Sequence, residues 1–109
     1  MNWQVEYLPE AVKDLKHLDV STQVLALKAI QKVQADPRPA EEGGLGKPLG
    51  NKRGQNLSGF FKIKLLKAGI RIVYTLVREN DKMLIVVIGV RADNEVYELA
   101  AKRRRSHGL

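Results

Sequence analysis

The sequence predicts a small α+β protein: an N-terminal strand, a helical hairpin, then an antiparallel sheet closed by a C-terminal helix, in the order β-α-α-β-β-β-α. Three observations predict it. The 109 residues, 44% of them hydrophobic, suffice for one core and hardly for two, so residues 1–109 read as a single domain. Between Phe60 and Arg91 lie three apolar segments of strand character, parted by short polar turns. Ahead of them, apolar residues recur at helical spacing in two successive segments.

Taken in order, Asn2–Leu8 alternates Trp3, Val5 and Tyr7 against Asn2, Gln4 and Glu6, the pattern of a half-buried strand. Pro9 suits the first position of a helix, with Glu10 beside its positive end and Val12, Leu15 and Leu18 as its apolar positions. Asp19 or Ser21 can cap a second helix, whose apolar stripe is expected at Val24, Leu27, Ile30 and Val33. Asp36-Pro37 ends it, because a residue before proline avoids the α region. Pro37–Ser58, rich in glycine and proline, reads as a long loop that carries Lys47, Lys52 and Arg53 within reach of a nucleic-acid backbone.

Phe60–Leu66, Ile70–Val77 and Met83–Arg91 read as strands, with turns at Lys67-Ala68-Gly69 and Glu79-Asn80-Asp81. Alternation puts Phe61, Ile63 and Leu65 on one face and Lys62 and Lys64 on the other. If Ile70, Ile72, Leu84, Val86, Ile88 and Val90 complete the first face, Arg71 and Arg91 join the lysines. Ala92-Asp93-Asn94 then reads as a turn and cap into a final helix, Glu95–Arg105. Val96, Leu99 and Ala100 face its core side, while Lys102, Arg103, Arg104 and Arg105 trail into solvent and residues 104–109 fray.

The formal charge of +7 implies a polyanionic partner. With no cysteine, disulfide and thiolate chemistry are excluded. The N-terminus lacks a signal-peptide pattern, and no apolar run reaches the roughly 18 residues of a spanning helix, so a cytoplasmic protein with no membrane role is expected. There is no Gly-rich phosphate loop. His17 and His107 are the only histidines and the acidic residues are scattered, so neither a metal site nor a cofactor is expected.

What remains is Lys62, Lys64, Arg71, Arg91 and Tyr97. A metal-independent ribonuclease needs a base for the ribose 2′-OH, donors for the charge growing on phosphate, and an acid for the leaving 5′-oxygen. Arginine and lysine suit the second task. Clustered cations lower the pKa of a neighbouring tyrosine, so Tyr97 could serve as base. With a free tyrosine ionised to about one part in a thousand at neutral pH, the chemistry is expected to be slow unless something else orients the RNA. The plain alternatives are a wet sheet face for the lysines, a surface ion pair for Arg71 and a core role for Tyr97. Tyr74, mid-strand among apolar neighbours, reads as core.

The segments Phe61-Lys62-Ile63-Lys64-Leu65, Gly69–Tyr74, Ile88-Gly89-Val90-Arg91 and Glu95-Val96-Tyr97 resemble the RelE family of type II toxin–antitoxin toxins. The resemblance implies an endoribonuclease that enters the ribosomal A site and cuts the exposed mRNA codon without metal, leaving a 2′,3′-cyclic phosphate. By position it makes Tyr97 the base and assigns Arg91 to the leaving group or the transition state. It gives Lys62, Lys64 and Arg71 to the phosphate, a lysine being a rival base. Lys47, Lys52, Arg53, Lys67, Lys102 and Arg103 are then candidate contacts to RNA and ribosome. It further implies a RelB-like antitoxin partner, with operator DNA bound only through that complex. Asp93 departs from the family, where a basic residue is frequent; it reads as a helix cap or a weakened contact to ribosomal RNA. Two other readings stand beside this one: a ParE-like toxin acting on DNA gyrase, and a noncatalytic RNA-binding module.

Overall fold

The computed structural model describes residues 3–52, 54–90 and 92–109. A five-stranded sheet runs in the order β1-β5-β4-β3-β2. Its strands are β1 (Gln4–Tyr7), β2 (Lys47–Lys52), β3 (Gln55–Leu65), β4 (Ile70–Val77) and β5 (Lys82–Gly89). β1 lies parallel to β5, and every other pairing is antiparallel. The helical hairpin is α1 (Pro9–Lys16) and α2 (Val20–Gln34); α3 spans Asp93–His107. The α+β class and the element types follow the expectation, with one strand added.

That strand corrects the loop expected over 37–58. Pro48 and Gly50 read as loop residues, yet β2 is an edge strand, where a missing N–H costs no ladder bond. Between Pro48 and Gly50 the register shifts, and Gly50 takes a φ of 63°, open to glycine. The bulge turns Leu49 into the core. β3 also starts earlier than expected, and its Leu57 is fully buried.

The two sheet faces have different covers. Phe61 and Tyr74 pair across β3 and β4, and their rings stack at 5.1 Å. Tyr74 is core, as expected: its hydroxyl donates to the Pro37 carbonyl just past α2 at 3.0 Å. Gly46 passes so close that a Cβ there would sit 2.8 Å from that hydroxyl. Burial and the neighbouring Asp36 charge raise the Tyr74 pKa. The opposite face begins at Phe60, and Arg104 of α3 lies over its ring at 4.8 Å.

Strict alternation fails in β5. Val73 pairs with Val87 but Tyr74 pairs with Ile85, so a bulge at Val86 resets the parity. Met83 and Ile85, rather than Leu84, therefore share the face of Tyr74, whereas Ile88 stays with Ile72 as expected. Val90, expected in the core, is exposed. In α2, capped by Asp19 accepting from the Thr22 N–H at 2.7 Å, the buried residues are Ala26 and Ile30, with Val33 half-buried. Val24 and Leu27 of the expected stripe are exposed.

The C-terminus also differs from expectation. α3 continues to His107, and Gly108 closes it in the left-handed region, with the Leu109 N–H bonded to the Arg104 carbonyl at 2.9 Å. Arg104 donates to the Ser58 carbonyl at 2.7 Å, and His107 meets Glu10 at 2.9 Å. The tail is docked rather than frayed.

Arg103, expected in solvent, is buried. It pairs with Asp14 at 2.7 Å and donates to the Val86 carbonyl at 2.8 Å, while Asp14 accepts from the Ile88 N–H at 3.0 Å. Helical spacing explains it, because Arg103 falls on the stripe of Val96 and Ala100. Removing one partner of such a pair strands the other charge. Arg103→Ala is expected to cost about 3 kcal/mol in urea unfolding. Asp14→Ala added to it should cost less than the sum of the singles, which a double-mutant cycle will read.

Candidate functional site

Register assembles the cations. Residues directly opposite in antiparallel strands share a face. Lys47 of β2 lies opposite Lys62 of β3, which lies opposite Val73 of β4. Lys64 lies opposite Arg71, which lies opposite Gly89. The expected alignment of Lys62, Lys64 and Arg71 thus holds, and Lys47 joins it because β2 is a strand. Lys62 is half-buried, and Lys47 is exposed. Lys52 falls in β2 opposite Gln55. Arg91 and Arg53 lie outside the described residues.

α3 supplies the remaining groups to this face. Asp93, at its first position, accepts from Lys64 Nζ through Oδ2 at 2.7 Å and from Arg71 Nε through Oδ1. Arg71 is held from its other side by donating to the Gly69 carbonyl at 3.2 Å. The cap residue of α3 is Ala92, and no side chain caps this end. Asp93 therefore does not cap: its carboxylate is turned onto the two cations. The pairing to Lys64 first, and to Arg71 next, holds the Asp93 carboxyl below the usual carboxylate range.

Tyr97 follows one turn later and is buried against the sheet. Its pKa is raised, chiefly by burial and then by the Asp93 charge, against a smaller opposing pull from Lys64 and Arg71. This corrects the expectation that the cations would lower it. The sequence placed the cations beside Tyr97 but not the carboxylate that pairs with Lys64 and Arg71.

Among the expected RNA contacts, Lys67 and Lys102 are exposed, on the β3–β4 turn and on α3. Arg103 is withdrawn from that set, being committed to Asp14. Lys64 and Lys67 also border a cavity of about 730 Å³ with Lys28 and Lys32 of α2, over an apolar floor that includes Leu25 and Leu65. The two α2 lysines were not legible as site residues, because only the hairpin's tilt onto the β3–β4 turn brings them near. Among the described residues, no acidic, histidine or cysteine group could hold a metal, and no helix is long and apolar enough to cross a membrane.

The family model described as ParE toxin of type II toxin–antitoxin system, parDE, matches residues 5–97. The chain belongs to this toxin family. This toxin is also 30% identical over 105 residues to an Escherichia coli RelE-like toxin protein, covering 96% of this chain and all of that one. Its fold is similar to an E. coli RelE arginine-to-alanine mutant in the free state: TM-score 0.71, 25% identity, 94% of this chain and 98% of that chain covered. A further match is that mutant in complex with an antitoxin RelB peptide, at TM-score 0.67 and 22% identity, covering 92% and 95%. The expected RelE-like toxin fold, with its C-terminal helix, is borne out.

Two outcomes follow from the electrostatics of the site. The Tyr97 phenol should titrate above ~10, and Asp93→Asn should lower that value, since the raising charge is removed while Lys64 and Arg71 remain. NMR of ring-labelled tyrosine, assigned with Tyr97→Phe, will read both. The depressed Asp93 carboxyl contributes stability that is present above its unfolded value of ~3.9 and is lost as pH falls through the lower folded value. Urea midpoints of wild type and Asp93→Asn should therefore draw together on acidification below about pH 4.

Proposed function

We infer that this toxin is a ribosome-dependent, metal-independent mRNA endoribonuclease that blocks translation. The observation that carries the reading is the convergence of Lys47, Lys62, Lys64 and Arg71 on one sheet face beside Tyr97. It occurs in a chain similar to RelE over nearly its whole length. In this reading Lys62, Lys64 and Arg71 hold the scissile phosphate and stabilise the charge that grows on it. Tyr97 takes the proton from the 2′-OH, which attacks to give a 2′,3′-cyclic phosphate, and Arg91 serves the leaving 5′-oxygen. A phenol held protonated by burial is a slow base, so codon presentation in the ribosomal A site would supply the orientation the free protein lacks. Lys67 and Lys102 face outward, as contacts to ribosomal RNA require. The partner in this reading is a cognate RelB-like antitoxin, as in the RelE–RelB peptide complex, and operator DNA is engaged only through that pair. Translating ribosomes put the site of action in the cytoplasm.

Two observations favour a second reading: the matching family model is that of ParE, and Asp93 pairs with two of the four cations, cancelling one of their charges. A ParE-like toxin would act on DNA gyrase without cutting RNA.

Purified toxin added to translating ribosomes should give codon-phased cuts with 2′,3′-cyclic ends. Arg71→Ala should lower the cleavage rate about 100-fold, the scale of losing one donor to a developing charge. Tyr97→Phe should lower it similarly while leaving ribosome binding intact; persistence of full activity would move the base role to a lysine. Absence of cuts together with inhibited gyrase supercoiling would establish the second reading instead.

A further inference from the structure

We propose that Asp93 is a resident anion occupying the phosphate seat formed by Lys64 and Arg71, so that a nucleic-acid phosphate binds there by displacing this carboxylate. The inference rests on the reading of the cation face as a phosphate site, and it adds a competitor built into the chain. Both carboxylate oxygens are engaged, Oδ2 by Lys64 at 2.7 Å and Oδ1 by Arg71 Nε, so the two cations grip Asp93 as a fork. A phosphodiester offers its two non-bridging oxygens to the same donors, and Arg is suited to both acids. Arg71 is anchored behind by the Gly69 carbonyl, which keeps its Nε aimed at whatever anion fills the seat.

The occupant is replaceable. Side chains of Lys64, Arg71 and Asp93 are 31%, 25% and 30% exposed, and ion pairs this open to water are weak. The hold of α3 itself on Asp93 is weak: the residue lies in the first turn, beside the helix's positive end, and no side-chain hydrogen bond caps that end. An incoming phosphate therefore exchanges one anion for another on donors already in place. The exchange lowers the affinity of the resting protein for RNA, because binding at this seat must first release a carboxylate.

The exchange also leaves a mark in the salt dependence. Single-stranded nucleic acid releases counterions with a slope of about −0.7 for each phosphate neutralised. In the wild type one of the seat's two positive charges is already cancelled by Asp93, so its phosphate contact is gained against a lost ion pair. With Asp93→Asn the two cations are unpaired, and the seat contributes fully.

The test uses the full toxin and a fluorescein-labelled oligonucleotide made uncleavable by 2′-deoxy substitution, followed by anisotropy across salt concentrations. Asp93→Asn should bind about tenfold more tightly at low salt, with a slope steeper by roughly 0.7, one phosphate contact. Glu98→Gln, an exposed acid on the same helix, makes the same charge change away from the seat and should move neither quantity comparably. Asp93→Glu should restore wild-type behaviour. A measurement on the unaltered protein runs beside these: inorganic phosphate titrated into carboxyl-labelled toxin should shift the Asp93 carboxyl signal toward that of a free carboxylate. An unmoved Asp93 signal, or Asp93→Asn matching Glu98→Gln or binding less tightly than wild type, overturns the proposal. Because neither readout involves cleavage, phosphate exchange without ribosome-dependent cuts would keep this inference and remove the nuclease reading, and the converse result would do the reverse.

Discussion

The contact on which the rest of this fold depends is the ion pair between Arg103 and Asp14 at the outer edge of β5. β1 pairs with β5 only as far as Ile85, and beyond it the edge of β5 has backbone groups without a strand to meet. Arg103 donates to the Val86 carbonyl and Asp14 accepts from the Ile88 N–H, so two side chains do there what a strand would do. Their mutual pairing joins α1 to α3 across the edge, so both helices are fixed to one stretch of backbone. That fixed stretch contains the bulge at Val86, which sets the parity of the strand's inner half. The position of α3, and with it of Asp93 and Tyr97, follows from this clamp.

Several of the toxin's 19 basic residues are consequently unavailable to a partner. Arg103 is spent on the fold, Arg104 lies over Phe60 and bonds the β3 backbone, and Lys64 and Arg71 share the single counter-charge of Asp93. The residues left facing outward, among them Lys47, Lys67 and Lys102, form a scattered periphery suited to steering a polyanion rather than gripping it. At the centre of the face Asp93 cancels one of the two charges of Lys64 and Arg71, while burial first, and the Asp93 charge second, keep Tyr97 beside it protonated.

How much of this could be read from the residues depended on whether the controlling force was local. The strands from Phe60 onward, the Asp19 cap, the core role of Tyr74 and the alignment of Lys62, Lys64 and Arg71 all follow from alternation or capping. Each needs only near neighbours in sequence. β2 was hidden because Pro48 and Gly50 carry loop chemistry, and only its edge position in the sheet makes them tolerable. The parity reset at Val86 was hidden for a related reason, since a bulge is decided by what the partner strands require. Arg103 and Asp93 were misread through their charge: type alone placed one in solvent and the other at a cap, while tertiary partners claimed both. The helical stripe of Val96, Ala100 and Arg103 was the one local sign that Arg103 points inward.

The span of the clamp bears on the order in which the molecule comes together. Asp14 and Arg103 are separated by 89 positions, so the contact that closes the edge of β5 is among the least local of the fold. Non-local closures of this kind are slow, because chain entropy is lost before the contact rewards it. An intermediate holding the sheet without α3 would expose both an unpaired strand edge and the apolar face around Phe60, the features through which partly folded chains associate. The helix that brings Asp93 and Tyr97 to the cations is also the one that closes this edge. The docking of α3 therefore joins Asp93 and Tyr97 to the cations and covers that edge together.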